Sequence, residues 1–146
     1  MNIFYSINTA FMLQWFNQKS TKVGFDMIHS AYKNQDKYLI INTLGPEEQD
    51  CLIKHTIPIQ SEEKTINDLL SNYGYTTKNI ILYGRNATDM TTEKKLKQLT
   101  ALGFSNVYIY AGGLFEWLLL QDVYGEDEFP TSKKILDILK YSKNTV

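Results

Sequence analysis

The sequence has little cysteine, proline or histidine and almost no excess of charge. One cysteine, Cys51, stands among 146 residues, so no disulfide can form within the chain, as is typical of a reducing compartment. Fifteen basic and sixteen acidic residues give a formal net charge of −1, whereas nucleic-acid binding favours a basic surface. No apolar run is long enough to span a membrane. We therefore expect a soluble, intracellular, cytoplasmic protein with one core and no nucleic-acid partner.

The first twenty residues contain several large apolar side chains: Phe4, Phe11, Met12, Trp15 and Phe16. Polar residues interrupt the segment and no basic residue precedes it, so it does not resemble a secretory signal. Two interpretations stay open. The segment is a terminal helix that packs on the domain, or it binds a partner or a membrane surface. We expect an N-terminal extension at residues 1–20 and a single domain at residues 21–142.

A strand–helix–strand unit occupies the second half of the chain. Residues 80–83 form an apolar run, which is typical of a strand buried on both faces. Thr91 and Thr92 can cap the helix that follows, and Gly103 can end it. The next strand is predicted at Val107–Tyr110. A unit of this length predicts two parallel strands joined by a right-handed crossover.

The rest of the chain continues the alternation of strands and helices. Strands are expected at residues 23–25 and 38–42, and the segment at residues 51–58 leads into a further strand. Helices are predicted at residues 26–34, 61–73, 114–120 and 133–140, the last with Ile135, Leu136 and Leu139 facing inward. This order predicts an α/β fold with a mostly parallel sheet covered by helices on both faces.

Four features of the unit resemble the rhodanese-like family. They are an apolar strand running into a short loop, a helix ending in Leu102-Gly103-Phe104, the strand at Asn106-Val107-Tyr108, and Gly112-Gly113 followed four residues later by Trp117. The last feature, G-G-x-x-x-W, is the most specific, and we interpret its glycines and tryptophan as structural. Weaker agreement extends back to about Val23. The resemblance implies a rhodanese-like fold with a five-stranded sheet.

The resemblance does not extend to the catalytic residue. In the family, the loop after the apolar strand carries a cysteine that holds a transferable sulfur as a persulfide; here that position is Gly84. The family pattern Asp-x-Arg is replaced by Asn42-Thr43-Leu44. We predict a catalytically inactive domain, a pseudoenzyme without metal or cofactor, that acts as a protein-interaction or regulatory module. The alternative is an active sulfurtransferase or related enzyme with a non-standard nucleophile such as Cys51.

The degenerate active-site loop can still attract an anion. Loops of this type point backbone N–H groups into a concave site at the positive end of a helix. We therefore expect a weak site for a small anion, opposed by the charge of Asp89. The loop consists of Gly84, Arg85, Asn86, Ala87, Thr88, Asp89 and Met90.

Two further groups of residues have alternative interpretations. Cys51 and His55 are four positions apart, but two ligands do not make a metal site, and a free cysteine is most often buried. An acidic group near the C-terminus is either a solvated loop or a contact surface for a basic partner. Its members are Asp122, Glu126, Asp127 and Glu128.

Overall fold

The computed structural model describes residues 21–143, so the predicted extension at residues 1–20 lies outside the described residues. Four strands and four α-helices follow one another in the described part: β1 (Lys22–Val23), α1 (Phe25–Lys33), β2 (Tyr38–Asn42), α2 (Ile59–Ser71), β3 (Asn79–Tyr83), α3 (Thr91–Ala101), β4 (Val107–Tyr110) and α4 (Gly113–Tyr124). Short 3₁₀ turns lie at Gln35–Lys37, Pro46–Glu48 and Ile138–Tyr141. Within residues 21–143, no helix combines the length and the apolar character needed to cross a membrane.

The strands form one parallel sheet in the order β1–β4–β3–β2. Strand β3 is central, because Ile80 pairs with Leu39 on one side and with Val107 on the other. The carboxyl ends of β2 and β3 therefore lie side by side, and the polar residues that follow these strands meet there.

Both faces of the sheet are covered by apolar residues, as the run at residues 80–83 predicts. Ile81 and Tyr83 belong to the core shared with α1 and α4, whereas Ile80 and Leu82 belong to the core shared with α2 and α3. All four side chains are fully buried. The alternation follows from the two-residue period of a strand, so β3 contributes equally to both cores.

The prediction of five strands is wrong for the described residues, where the sheet has four. The segment before α2 makes two isolated bridges, one from Thr56 to Ile40 and one from Ile53 to Thr131. It cannot extend further, because His55 adopts a left-handed φ of 71°. Pro58, in addition, has no N–H to donate to a ladder.

The predicted helix at residues 133–140 is also wrong. The segment is irregular until the 3₁₀ turn at Ile138–Tyr141. Leu136 and Leu139 are 90% and 67% exposed rather than inward-facing. Ser132 does not cap a helix; its hydroxyl donates to the Asp50 carbonyl at 3.0 Å and accepts the Leu52 N–H at 3.0 Å. Tertiary hydrogen bonds to another segment thus replace the local ones that a helix would offer.

Candidate functional site

The 84–90 loop connects β3 to α3 and rests on the N-terminus of α4. The N–H groups of Leu114 and Phe115 donate to the carbonyls of Gly84 and Arg85 at 2.9 and 2.8 Å. Gly113 has a φ of +68°, and a Cβ there would lie 2.9 Å from both the Asn86 nitrogen and the Gly84 oxygen. Gly113 is therefore structural, since the absence of its side chain lets the loop and the helix approach closely.

Asp89 fills the inside of the loop. Its Oδ2 accepts the Arg85 N–H at 2.9 Å, and its Oδ1 accepts the N–H and the hydroxyl of Thr91 at 3.0 and 2.7 Å. The prediction that Thr91 or Thr92 caps the helix is wrong, because both lie inside α3 and the N-cap residue, Met90, makes no side-chain cap; Asp89 instead accepts the Thr91 N–H. Thr92 instead donates its hydroxyl to the Asp89 carbonyl at 3.1 Å. The carboxylate lies where a helix N-terminus favours negative charge.

Gly84 has no side chain, and the space that one would need is occupied. A Cβ at this position would lie 2.5 Å from Asp89 Oδ2 and 3.1 Å from Thr43 Oγ1. The first distance is shorter than any ordinary contact of a Cβ. The place at the base of the loop where the family carries its cysteine is thus taken by a carboxylate oxygen.

The side chains of Arg85 and Asn86 contact the C-terminal segment. The Arg85 side chain is 10% exposed and forms an ion pair with Glu48. It also donates to the Lys140 carbonyl and, at 2.9 Å, to the Lys143 carbonyl. Asn86 donates to the Tyr141 carbonyl at 2.8 Å. The guanidinium is therefore committed to a structural contact and does not face the inside of the loop.

The other predicted loop residues lie at the surface. Ala87, Thr88 and Met90 are exposed, with Met90 70% accessible. Thr88 donates both its N–H and its hydroxyl to Asn86 Oδ1, at 3.0 and 2.9 Å. The loop thus satisfies many of its own donors with its own side chains.

The end of β2 adds uncharged groups to the site. Thr43 Oγ1 lies 2.8 Å from Thr91 Oγ1 and 3.3 Å from the Tyr83 carbonyl. Asn42 is buried and exchanges hydrogen bonds with Gln49 at 3.1 and 2.9 Å. Sequence reasoning did not assign Thr43 to the loop. The adjacency of the two parallel strand ends was the signal that would have found it.

Cys51 lies in the interior and not in the loop. Its side chain is fully buried, and its Sγ donates to the Lys133 carbonyl at 3.2 Å. Burial raises the pKa of the thiol, which disfavours the thiolate. His55 is exposed and contacts Gln35 at 3.3 Å. In the described part of the chain, no three His, Cys, Asp or Glu side chains are arranged to hold a metal ion.

The acidic group flanks an exposed apolar surface. Asp122, Glu126, Asp127 and Glu128 are all exposed, as either interpretation requires. Beside them, the C-terminal half of α4 exposes Leu119, Val123 and Tyr124 by 43%, 72% and 65%. We call these seven residues the α4 surface. It combines large apolar and acidic side chains that are exposed at the C-terminal end of α4 and in the turn that follows it.

Comparisons of the fold place this chain among structures of related architecture. A crystal structure of a Bacillus halodurans protein is 18% identical, with a TM-score of 0.57, and the match covers 81% of this chain and 82% of that one. A yeast protein tyrosine phosphatase of the rhodanese family is 14% identical, with a TM-score of 0.55, over 83% of this chain and 99% of that one. A single-domain sulfurtransferase from Saccharomyces cerevisiae is 19% identical, with a TM-score of 0.53, over 74% and 96%.

The sequence itself identifies the family. No curated protein matches the sequence. The model of the rhodanese-like domain, however, matches residues 27–120, which is more than half of the chain and includes the 84–90 loop, the glycine pair and Trp117. The chain therefore belongs to the rhodanese-like domain family.

Proposed function

We propose that this rhodanese-like domain does not transfer sulfur and acts as a protein-interaction or regulatory module. One observation carries the proposal: position 84 is a glycine, and the Asp89 carboxylate occupies the space beside it. Sulfur transfer needs a thiolate at the base of the loop, because the thiolate is the nucleophile that receives the sulfur. Neither glycine nor a hydrogen-bonded carboxylate can form a persulfide.

The charge at the loop also weighs against anionic substrates. Thiosulfate and phosphate esters are negatively charged, and a carboxylate inside the site repels them. Two of the similar structures are named as a sulfurtransferase and a protein tyrosine phosphatase. We expect neither activity here.

The loop keeps a weaker function in this proposal, as a site for a small anion. The N–H groups of Arg85 and Thr91 point into it at the N-terminus of α3. Both already bond to Asp89, so an external anion must compete with that carboxylate. Affinity in the millimolar range is expected of a few exposed hydrogen bonds.

The α4 surface is the proposed contact for a protein partner. Exposed apolar side chains of one helix end lie beside acidic ones, which suits a partner segment that carries apolar and basic residues. Glu126 lies 3.8 Å from Lys134 at the protein surface, and exposed pairs of this type contribute little. A basic partner can therefore replace the lysine at low cost.

The alternative, an enzyme that uses Cys51, has less support. The thiol is buried, donates a hydrogen bond to a carbonyl and has a raised pKa. A nucleophilic cysteine needs the opposite environment, partly exposed and with a lowered pKa.

The proposal is tested by an activity assay combined with a binding assay. Purified protein should show no thiosulfate:cyanide sulfurtransferase turnover above buffer, measured beside a rhodanese that has the loop cysteine. Turnover that disappears in Cys51→Ser would instead establish the alternative.

In the binding assay, the immobilised protein is compared with Val123→Glu and with the control Glu63→Lys, which changes an exposed residue of α2. A specific partner should remain bound to Glu63→Lys and be lost from Val123→Glu. A partner that binds all three proteins equally would exclude the α4 surface as its contact.

A further inference from the structure

The Asp89 carboxylate lies inside the loop, next to Gly84. Its Oδ2 bonds to the Arg85 N–H at 2.9 Å, and its Oδ1 bonds to the N–H and hydroxyl of Thr91 at 3.0 and 2.7 Å. A Cβ on residue 84 would lie 2.5 Å from Oδ2 and 2.9 Å from Cγ. A side chain at position 84 and the carboxylate of residue 89 therefore compete for the same space.

Within residues 21–143, the hydrogen bonds that the structure shows for this carboxylate come from neutral groups. The partners that surround it are backbone N–H groups and the hydroxyl of Thr91, which itself contacts Thr43 at 2.8 Å. The Arg85 guanidinium is bound to Glu48 and to carbonyls of the C-terminal segment. The backbone donors of the loop thus serve an internal anion in place of an external one.

We propose that Asp89 is an internal plug of the 84–90 loop, which weakens the binding of external oxyanions there and occupies the space that a side chain at position 84 would need. This inference rests on the proposed residual anion site and names what controls it. Removal of the carboxylate should free two N–H donors and the space beside Gly84 together. The same change removes the repulsion that an entering anion meets.

The first test titrates sulfate and inorganic phosphate at constant ionic strength, with the amide shifts of residues 85–90 as the readout. Asp89→Ser should bind at least about tenfold more tightly than the unchanged protein, because both donors become free and one negative charge is removed. Asp89→Asn removes the charge but keeps the bulk and one acceptor, so we expect a smaller gain. Asp36→Asn, which removes an exposed charge in the 3₁₀ turn at Gln35–Lys37, is the matched control and should leave sulfate and phosphate binding unchanged.

The second test measures the thiol of Gly84→Cys in a Cys51→Ser background, by the rate of alkylation with iodoacetamide at neutral pH. With Asp89 present, the new thiol is crowded by a carboxylate and should react no faster than a free cysteine. With Asp89→Ser added, the helix end should stabilise the thiolate, and the rate should rise about tenfold. Thermal melting of every variant shows which proteins are folded, and Asp89→Asn replaces Asp89→Ser if the latter does not fold.

The proposal is overturned if sulfate binds equally to the unchanged protein and to the Asp89 variants, or if the alkylation rate of the introduced thiol does not depend on residue 89. These outcomes do not depend on whether the native chain has an activity. Turnover by the native protein would remove the proposed function and leave the comparison between variants intact.

Discussion

The aromatic core around Trp117 and the 84–90 loop differ in the interactions that hold them together. Trp117 is fully buried and packs edge to face against four other rings, those of His29, Tyr32, Tyr110 and Phe129. Its single polar atom donates to the Pro130 carbonyl at 3.2 Å. The loop, by contrast, is held by a carboxylate, a guanidinium and backbone groups.

The difference teaches that a fold and its chemistry have separate physical requirements. The core requires shape and apolar surface, and these are the features on which the family resemblance rests. The loop requires only that its backbone donors and acceptors find partners. The Asp89 carboxylate accepts hydrogen bonds from the backbone N–H groups, as a cysteine thiolate with its bound substrate would. The loop can therefore keep its shape although position 84 is a glycine.

The largest effect should come from Trp117→Ala. Truncation of a buried tryptophan leaves a cavity among the surrounding rings and typically costs about 3–5 kcal/mol of unfolding free energy. We expect a much lower melting temperature or poor expression. Val123→Ala, on the same helix but 72% exposed, is the control and should melt like the unchanged protein. An unchanged melting temperature for Trp117→Ala would mean that the side chain does not support the core.

A smaller loss of stability is expected when the polar contacts of Arg85 are removed. Arg85→Ala leaves the Glu48 carboxylate and two carbonyls without their buried donor, and the loss of hydrogen bonds to a charged group costs about 2–3 kcal/mol. Urea denaturation measures the loss, and hydrogen exchange should show weaker protection at Ile138–Tyr141. Lys97→Ala, an exposed residue of α3, is the control. If exchange at Ile138–Tyr141 is unaffected, Arg85 does not hold the C-terminal segment.

The smallest effect concerns the loss of stability at alkaline pH. Burial raises the pKa of Tyr32, Tyr83 and Tyr110 above the usual range and that of Tyr141 to about 12. Tyrosines in the unfolded chain have a pKa of about 10. Above that pH the unfolded chain binds fewer protons than the folded one, so the stability that is present below it is lost as the pH rises.

Tyr141→Phe tests the contribution of one ring. The variant removes one titrating group but keeps the ring under the Arg85 guanidinium, which lies 5.2 Å from its centroid. Between pH 10 and 12 the stability of the variant should fall less steeply, by at most about 1.4 kcal/mol for each pH unit. Urea unfolding at several pH values measures the slope. Equal slopes for the variant and the unchanged protein would show that the pKa of Tyr141 is the same in the folded and the unfolded chain.

Much of the fold follows from patterns within the sequence. The apolar run at residues 80–83 predicted a central parallel strand, because such a run suits burial on both faces. G-G-x-x-x-W predicted the close approach at Gly113 and the buried Trp117, since a left-handed φ and a large core residue are both local requirements. The glycine at position 84 likewise established from the sequence that the loop cysteine is absent.

Tertiary structure alone decided the irregular regions and the contents of the loop. Leu136 and Leu139 have helical spacing, yet carbonyls of that segment bond to Arg85 and Cys51 instead of forming a helix. The sequence predicts that Asp89 opposes the binding of anions, but only the folded loop shows that the Asp89 carboxylate itself accepts the backbone N–H groups of Arg85 and Thr91. The physical reason is that the periodicity of apolar residues indicates which side chains are buried. Polar groups, by contrast, form hydrogen bonds with whichever groups lie near them in the folded chain. Arg85 and Lys143 are distant in sequence, and no local pattern couples them.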